Sequence, residues 1–309
     1  MRTTSGHFDF MGDFMTSDNS DLKELQAPIE VDAQILNLIF KNLIIDDIES
    51  ATAFLNKVSY FRFVKAYSLG LKPRNGNYYD GVSFTQISEI YEFNKRLRQI
   101  IFPLAEHVEV RLRCAVSNCF SCKHGNLSYR DPQYFISKDY HAEIIKDIDS
   151  EIGRNWNNPF VKNFERNYKD GSIPLYAAIE LFSFGMLSKF YSNILNEDKK
   201  AIAKEYFSVG YTYLESWLES ISSVRNICAH YGRLYNVKLV KQPLLYKQYD
   251  EIHNYRIFAV LLCFKHLVND KMLWQTFVAE LGGIIDKYSS SINLEYIGFP
   301  ETWREMLEE

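Results

Sequence analysis

Arg225, Asn226 and His230 stand together in the segment SVRNICAHYGRLYN, residues 223–236. Arginine supplies a fixed, planar cation that grips phosphate oxygens in bidentate fashion, and histidine is the side chain suited to moving a proton near neutrality. An RNA strand cleaves when its 2′-OH is deprotonated and attacks the neighbouring phosphorus, leaving a cyclic phosphate and a 5′-OH. An imidazole to handle the proton and a guanidinium to hold the charge developing on the phosphoryl group are enough for that step, and no metal is required. Asn226 could orient either the phosphate or the imidazole by hydrogen bonds. The same spacing also arises by accident. Its structural account is an arginine paired with Glu215 or Glu219 beside a surface histidine, and spacing alone favours that account.

The elements that must position these groups are helical. Leu214, Trp217, Leu218, Ile221, Val224 and Cys228 make one stripe of a helix over residues 211–229, with Arg225 among them where an unpaired charge is expensive. His230 follows five positions later, ~140° further round an unbroken helix. The two side chains therefore converge only if the helix ends or loosens between them, and Gly232 is the expected stop. Upstream, Ile35, Leu38, Ile39 and Leu43 keep a helical beat, and Asp46 and Asp47 offer an N-cap for a second helix. Residues 73–81 are rich in turn formers and predict a hairpin-like loop or a short ribbon. Residues 84–120 predict two long helices, broken or kinked near Pro103. Further helices are expected over 139–152, 175–195 and 250–268, and strand-like alternation is almost absent. The expected fold is all-α: a single helical domain over residues 29–309, preceded by a flexible leader over residues 1–28.

Composition excludes several classes. Twenty-one Tyr and 22 Phe in 309 residues demand a large aromatic core. With 35 Lys and Arg against 39 Asp and Glu, a nucleic acid would have to be met by a local patch, since a long polyanion needs a basic stripe. Five cysteines in an odd, scattered set suit a reducing compartment rather than a disulfide framework. The start of the chain shows no signal peptide, and the longest apolar run, residues 257–264, is far short of the ~20 residues a bilayer helix needs, so a cytoplasmic location without membrane association is expected. Cys119, Cys122 and His124, with Cys114 nearby, lack the second ligand pair of a zinc site, and neither a metal nor another cofactor is expected. No motif for phosphate-loop, dinucleotide, serine-hydrolase or zinc-protease chemistry is present. Lys95, Arg96, Arg98, Arg111 and Arg113 could track a phosphate backbone, or form a solvated face with Glu92, Glu106 and Glu109. Glu180, on an apolar helix, could be a buried partner for Arg225 or another arginine.

The motif resembles the arginine, polar residue, short gap, histidine signature of the HEPN superfamily. More closely, SYFRFVKAY, FTQISEIYEFNKRLRQII, EVRLR, PLYAAIELFSFGMLSKFY, SVRNICAHYGRLYN and GFPETW, in that order over about residues 31–305, resemble the abortive-infection (Abi) phage-resistance family, the AbiD and AbiF group. That resemblance implies a HEPN-like helical bundle with additional packed helices, and a metal-independent endoribonuclease used as a toxin against phage-infected cells. Arg225 and His230 would be catalytic, with Asn226 as the companion of the arginine. Tyr60, Arg62, Tyr231 and Arg233 would help to hold RNA. HEPN nucleases build one cleft from two motifs, and a second motif is missing from this chain, so the resemblance implies a homodimer. It also leaves room for an antitoxin, protein or small RNA. The competing class is a non-catalytic HEPN-like module that binds RNA or a partner protein.

Overall fold

The computed structural model describes residues 27–308 apart from Asn75. The expected leader falls outside the described residues but for Ala27 and Pro28. The described chain folds into helices α1 (Val31–Phe40), α2 (Ile48–Leu55), α3 (Phe84–His124), α4 (Lys138–Arg154), α5 (Pro159–Asn167), α6 (Leu175–Ala178), α7 (Phe184–Asn193), α8 (Asn196–Ile202), α9 (Tyr211–Ala229), α10 (Ile257–Leu267), α11 (Lys271–Tyr288) and α12 (Trp303–Glu308), with short 3₁₀ and π turns between them. Among the described residues the extended pairings are isolated bridges such as Ile44 with Ser83. The fold is all-α, as the periodicity predicts, and residues 73–74 and 76–81 belong to neither helix nor strand. No helix among the described residues is long and apolar enough to cross a membrane.

Helix α3 is the spine. Its 41 residues extend ~60 Å at 1.5 Å per residue. Leu97, Ile101, Leu104, Val108 and Leu112 are fully buried along it, and α9 and α11 are its main packing partners, with α7 and α10 closing over α9. The expected break at Pro103 does not occur: the helix runs through it. Pro103 and Gln99 both lie on the exposed face, so the Gln99 carbonyl that loses its N–H partner meets water instead of the core.

Two other boundaries differ from the sequence expectation. The single helix predicted over 175–195 is split, because Phe182 is extended and the Ser183 hydroxyl accepts from the Met186 N–H to start α7 anew. The carbonyls freed by the split, of Ile179 and Phe182, both accept from the Arg113 guanidinium. The helix predicted from 250 begins at Ile257; Arg256 is extended and residues 253–256 form a turn whose Tyr255 carbonyl accepts from Leu239 N–H at 2.7 Å. A side-chain hydroxyl decides the first boundary and backbone hydrogen bonds the second. By contrast, Asp47 caps α2 through Ser50 as expected, while Asp46 accepts from the Thr85 N–H.

Candidate functional site

Helix α9 carries the motif. Its stripe from Leu214 to Cys228 is buried, and Trp217, wholly inside, donates to the Leu244 carbonyl at 2.6 Å and stacks on His266. The helix does not loosen between Arg225 and His230, contrary to the sequence expectation: it is regular through Ala229 and His230 is its C-cap. The two side chains therefore leave the axis ~140° apart, and His230 is exposed. Within one chain they serve different faces.

The end of α9 explains both Tyr231 and Gly232. The Gly232 N–H donates to the Ile227 carbonyl at 2.7 Å and the Tyr231 N–H to the Cys228 carbonyl at 3.2 Å, the paired bonds of a Schellman closure. The left-handed residue is Tyr231, at φ +57, not the glycine the sequence suggested. Gly232 is required for space, since a Cβ there would lie 2.8 Å from Ile227 Cγ2 and 3.1 Å from the Ile227 carbonyl oxygen. Tyr231 is 67% exposed, so a strained backbone presents an aromatic ring to solvent.

Arg225 faces α3. Its Nε lies 3.5 Å from Glu109 Oε2, its Nη1 donates to Asn226 Oδ1 at 3.4 Å, and its guanidinium sits 5.8 Å over the Phe102 ring. Neither acid proposed as its partner takes that place: Glu215 pairs with Lys199 and Glu219 with Lys241. Glu180 is exposed rather than buried. Glu109 is the buried carboxylate, not a member of a solvated face, and it also binds Arg113 at 2.6 Å. One carboxylate shared by two guanidinium groups leaves Arg225 with a surplus of positive charge.

Beside the end of α9 opens a cavity of ≈ 680 Å³. Lys57 and Ser59 line it from the stretch that leads into the π turn Phe61–Lys65 and Arg62 from that turn; Tyr91, Lys95, Arg98, Gln99 and Phe102 from α3; and Cys228, Ala229 and Tyr231 from the end of α9. Four cations and three aromatic rings face it, and none of its lining residues is an acid. Lys95 leans on Glu92 at 3.2 Å. Arg62 donates to the Tyr231 carbonyl with its guanidinium 5.9 Å from the Tyr231 ring. Arg98 donates to the Gly232 carbonyl at 2.9 Å. Burial pushes the Cys228 thiol up to about 12, which keeps it neutral and unreactive.

Asn94 holds the wall behind. It is wholly buried, donates to Tyr67 Oη at 2.8 Å and accepts from the N–H groups of Leu234 and Tyr235 at 2.7 and 2.9 Å. Arg233 is tucked close by; burial lowers its pKa, Arg256 lowers it further, and its Nη1 is buried without a hydrogen-bond partner. Of the residues predicted to hold RNA, Arg62 and Tyr231 thus meet at the cavity. Tyr60 packs half-buried against the core, with burial raising its phenol, and Arg233 lies behind the wall. Arg225 reaches the cavity's edge through Phe102, with Asn226 bonded to it. Of the basic set on α3, Arg111 and Arg113 are structural, donating to the carbonyls of Leu267 and Ile179.

Among the described residues no group of three His, Cys, Asp or Glu could hold a metal ion. His124 instead binds Asp198 at 3.0 Å, apart from the half-buried Cys119 and the exposed Cys114 and Cys122. The sequence missed Lys57, Tyr91, Gln99, Phe102 and Asn94. For Asn94 a signal existed: a polar residue among Ile90, Phe93 and Leu97 on a buried stripe, the anomaly that singles out Arg225.

No curated protein and no solved structure matches the chain. The model of a family described as Abi-like protein matches residues 53–236, which take in every lining residue of the cavity and the whole of α9. That match covers more than half of the sequence and stops at the last residue of the motif segment, and by it the chain belongs to the Abi-like family.

Proposed function

We propose that this protein is a metal-independent endoribonuclease of HEPN type, in which Arg225 and Asn226 hold the scissile phosphate and His230 transfers the proton. Membership of the Abi-like family points to a role in abortive infection, and the nuclease gives that role its chemistry. The observation that carries the proposal is the end of α9: Arg225 against Phe102 with Asn226 bonded beside it, and an exposed His230 at the helix terminus. Because the arginine and the histidine diverge within one chain, the cleft is completed by a second copy, with the two-fold axis close to the end of α9. Arg225 of one copy and His230 of the other then reach a single phosphodiester, the imidazole handling the 2′-OH proton while the guanidinium takes up phosphoryl charge.

The divergence of the two side chains also favours a second reading, a non-catalytic module that binds RNA or a protein through Arg225. Purified wild type, Arg225→Ala and His230→Ala incubated with RNA separate the two. The nuclease predicts cleavage by wild type alone, unaffected by chelator, with cyclic-phosphate and 5′-OH ends. The module predicts no cleavage by any of them and undiminished binding by His230→Ala. Light scattering tests the shared cleft, which an active, strictly monomeric enzyme would contradict.

A further inference from the structure

We infer that the cavity beside the end of α9 is a binding site for one to two unpaired nucleotides of single-stranded RNA, its bases stacked on Tyr231 and Phe102 and its phosphates held by Lys57, Lys95 and Arg62. The identity of the sugar rests on the nuclease proposal; the rest follows from the cavity. Its ≈ 680 Å³ falls in the ~300–1,000 Å³ range of pockets that enclose small organic ligands, a fit to a short unpaired segment rather than to a helix. Its charge is one-sided. Lys57, Arg62, Lys95 and Arg98 line it, Glu92 is the acid that reaches one of them, and Arg233 adds a buried, unpartnered guanidinium nitrogen behind the wall. Such a surplus is held in place for an anion.

The rings decide which anion. Tyr231 projects from a left-handed backbone position that an aromatic residue rarely adopts, and Phe102 stands 37% exposed on α3 while carrying Arg225 on its face. Stacking on such rings is open only to bases that are not already paired and stacked, which selects a single strand over a duplex. Phe102 touches both the cavity and Arg225, so a strand seated here is continuous with the phosphate at the motif.

The test uses the full chain carrying His230→Ala, so that nothing is cut, and a fluorescein-labelled hexauridylate followed by anisotropy. Single strand should bind and the same strand in duplex should not compete. Tyr231→Gly removes the ring yet relaxes the left-handed turn, so a tenfold or greater loss of affinity without a lowered Tm is a loss of stacking. The pair Lys57→Ala and Lys95→Ala should weaken binding and flatten the slope of log K against log salt by about 1.4, the share of two phosphate contacts at ~0.7 each. Lys189→Ala, an exposed lysine on α7, should change neither. Affinity and slope indifferent to the Tyr231 and lysine changes would overturn the inference, whether or not the wild type cuts RNA. Binding that responds as expected while the wild type cuts nothing would uphold it and sink the nuclease.

Discussion

The two ends of α3 treat positive charge in opposite ways. At the C-terminal end, Lys123 bonds Glu197 and Asp198 at 2.7 Å each, and His124 bonds the same Asp198. Nearby, Lys199 bonds Glu215 at 2.8 Å. Towards the other end Lys57, Arg62, Lys95 and Arg98 crowd one cavity, where Glu92 meets Lys95 and backbone carbonyls of the α9 turn take both guanidinium groups. Carbonyls orient a cation without neutralising it. Charge that is answered by carboxylates serves the fold, whereas charge that is aimed and left unneutralised is available to a ligand. Each of the following experiments presses on that contrast.

The largest effect expected comes from alkali. Burial raises Cys228, Tyr78 and Tyr235 to about 12 from 9, 10 and 10. All three are acids whose neutral form the fold retains, so the unfolded chain gives up its protons first. Stability is whole below about pH 9 and falls as the pH rises towards 12. Cys228 alone accounts for about 4 kcal/mol at ~1.4 kcal/mol per unit. Thermal melts between pH 8 and 12 should show Tm dropping steeply above 9 to 10; a flat profile would mean that the wall behind the cavity is wet. By the same burial, Cys228 should resist alkylation at neutral pH while the exposed Cys114 and Cys122 react.

Next in size is Asn94→Ala. It strands the Tyr67 hydroxyl and the N–H groups of Leu234 and Tyr235 in a dry interior, at about 1–3 kcal/mol for each group left unpaired, or about 4 kcal/mol together. Urea unfolding should register the loss. Hydrogen exchange should show the segment after α9 opening well ahead of the rest. If that segment stays protected, Asn94 is not what anchors the turn.

Removing charge then separates the two ends directly. Asp198→Asn removes the buried negative charge that Lys123 and His124 share, leaves one accepting oxygen where there were two, and should cost about 2–3 kcal/mol, the scale of a buried hydrogen bond to a charged group. Lys57→Ala with Lys95→Ala should leave stability within about 0.5 kcal/mol, as for exposed substitutions away from structural contacts. Equal losses from the two changes would erase the distinction between answered and available charge.

The helices were legible because apolar periodicity is dictated by the core they share: the α9 stripe from Leu214 to Cys228 falls where its spacing predicts. The boundaries that failed are those where a single polar group decides. Ser183 restarts a helix that periodicity would have continued, Arg113 stabilises the break from 69 residues away along the chain, and Pro103 is tolerated because its face is wet. The motif was legible as a polar group in an apolar row, a signal that the missed Asn94 also carries. The cavity was not: Lys57, Tyr91 and Phe102 are ordinary residues on two separate elements, and only the packing of the stretch after α2 against α3 puts them round one space. Glu109 could as well be solvated by sequence, since its neighbours are charged, and burial between Arg113 and Arg225 is a tertiary fact.

The smallest effect is the most discriminating. Tyr231 holds φ +57, a conformation that costs a non-glycine residue about 1 kcal/mol, and glycine adopts it freely. Against this stands the greater freedom of glycine in the unfolded chain, of similar size. The ring, two-thirds exposed, makes little return in packing, and the carbonyl that Arg62 uses survives the substitution. Tyr231→Gly should therefore leave Tm unchanged or raise it by a few degrees. A fold that does not need this tyrosine but keeps it, strained and outward, keeps it for something that lands on the ring. A Tm lowered by five degrees or more would instead make Tyr231 a structural plug for the end of α9, and the unneutralised end of α3 would lose its aromatic platform.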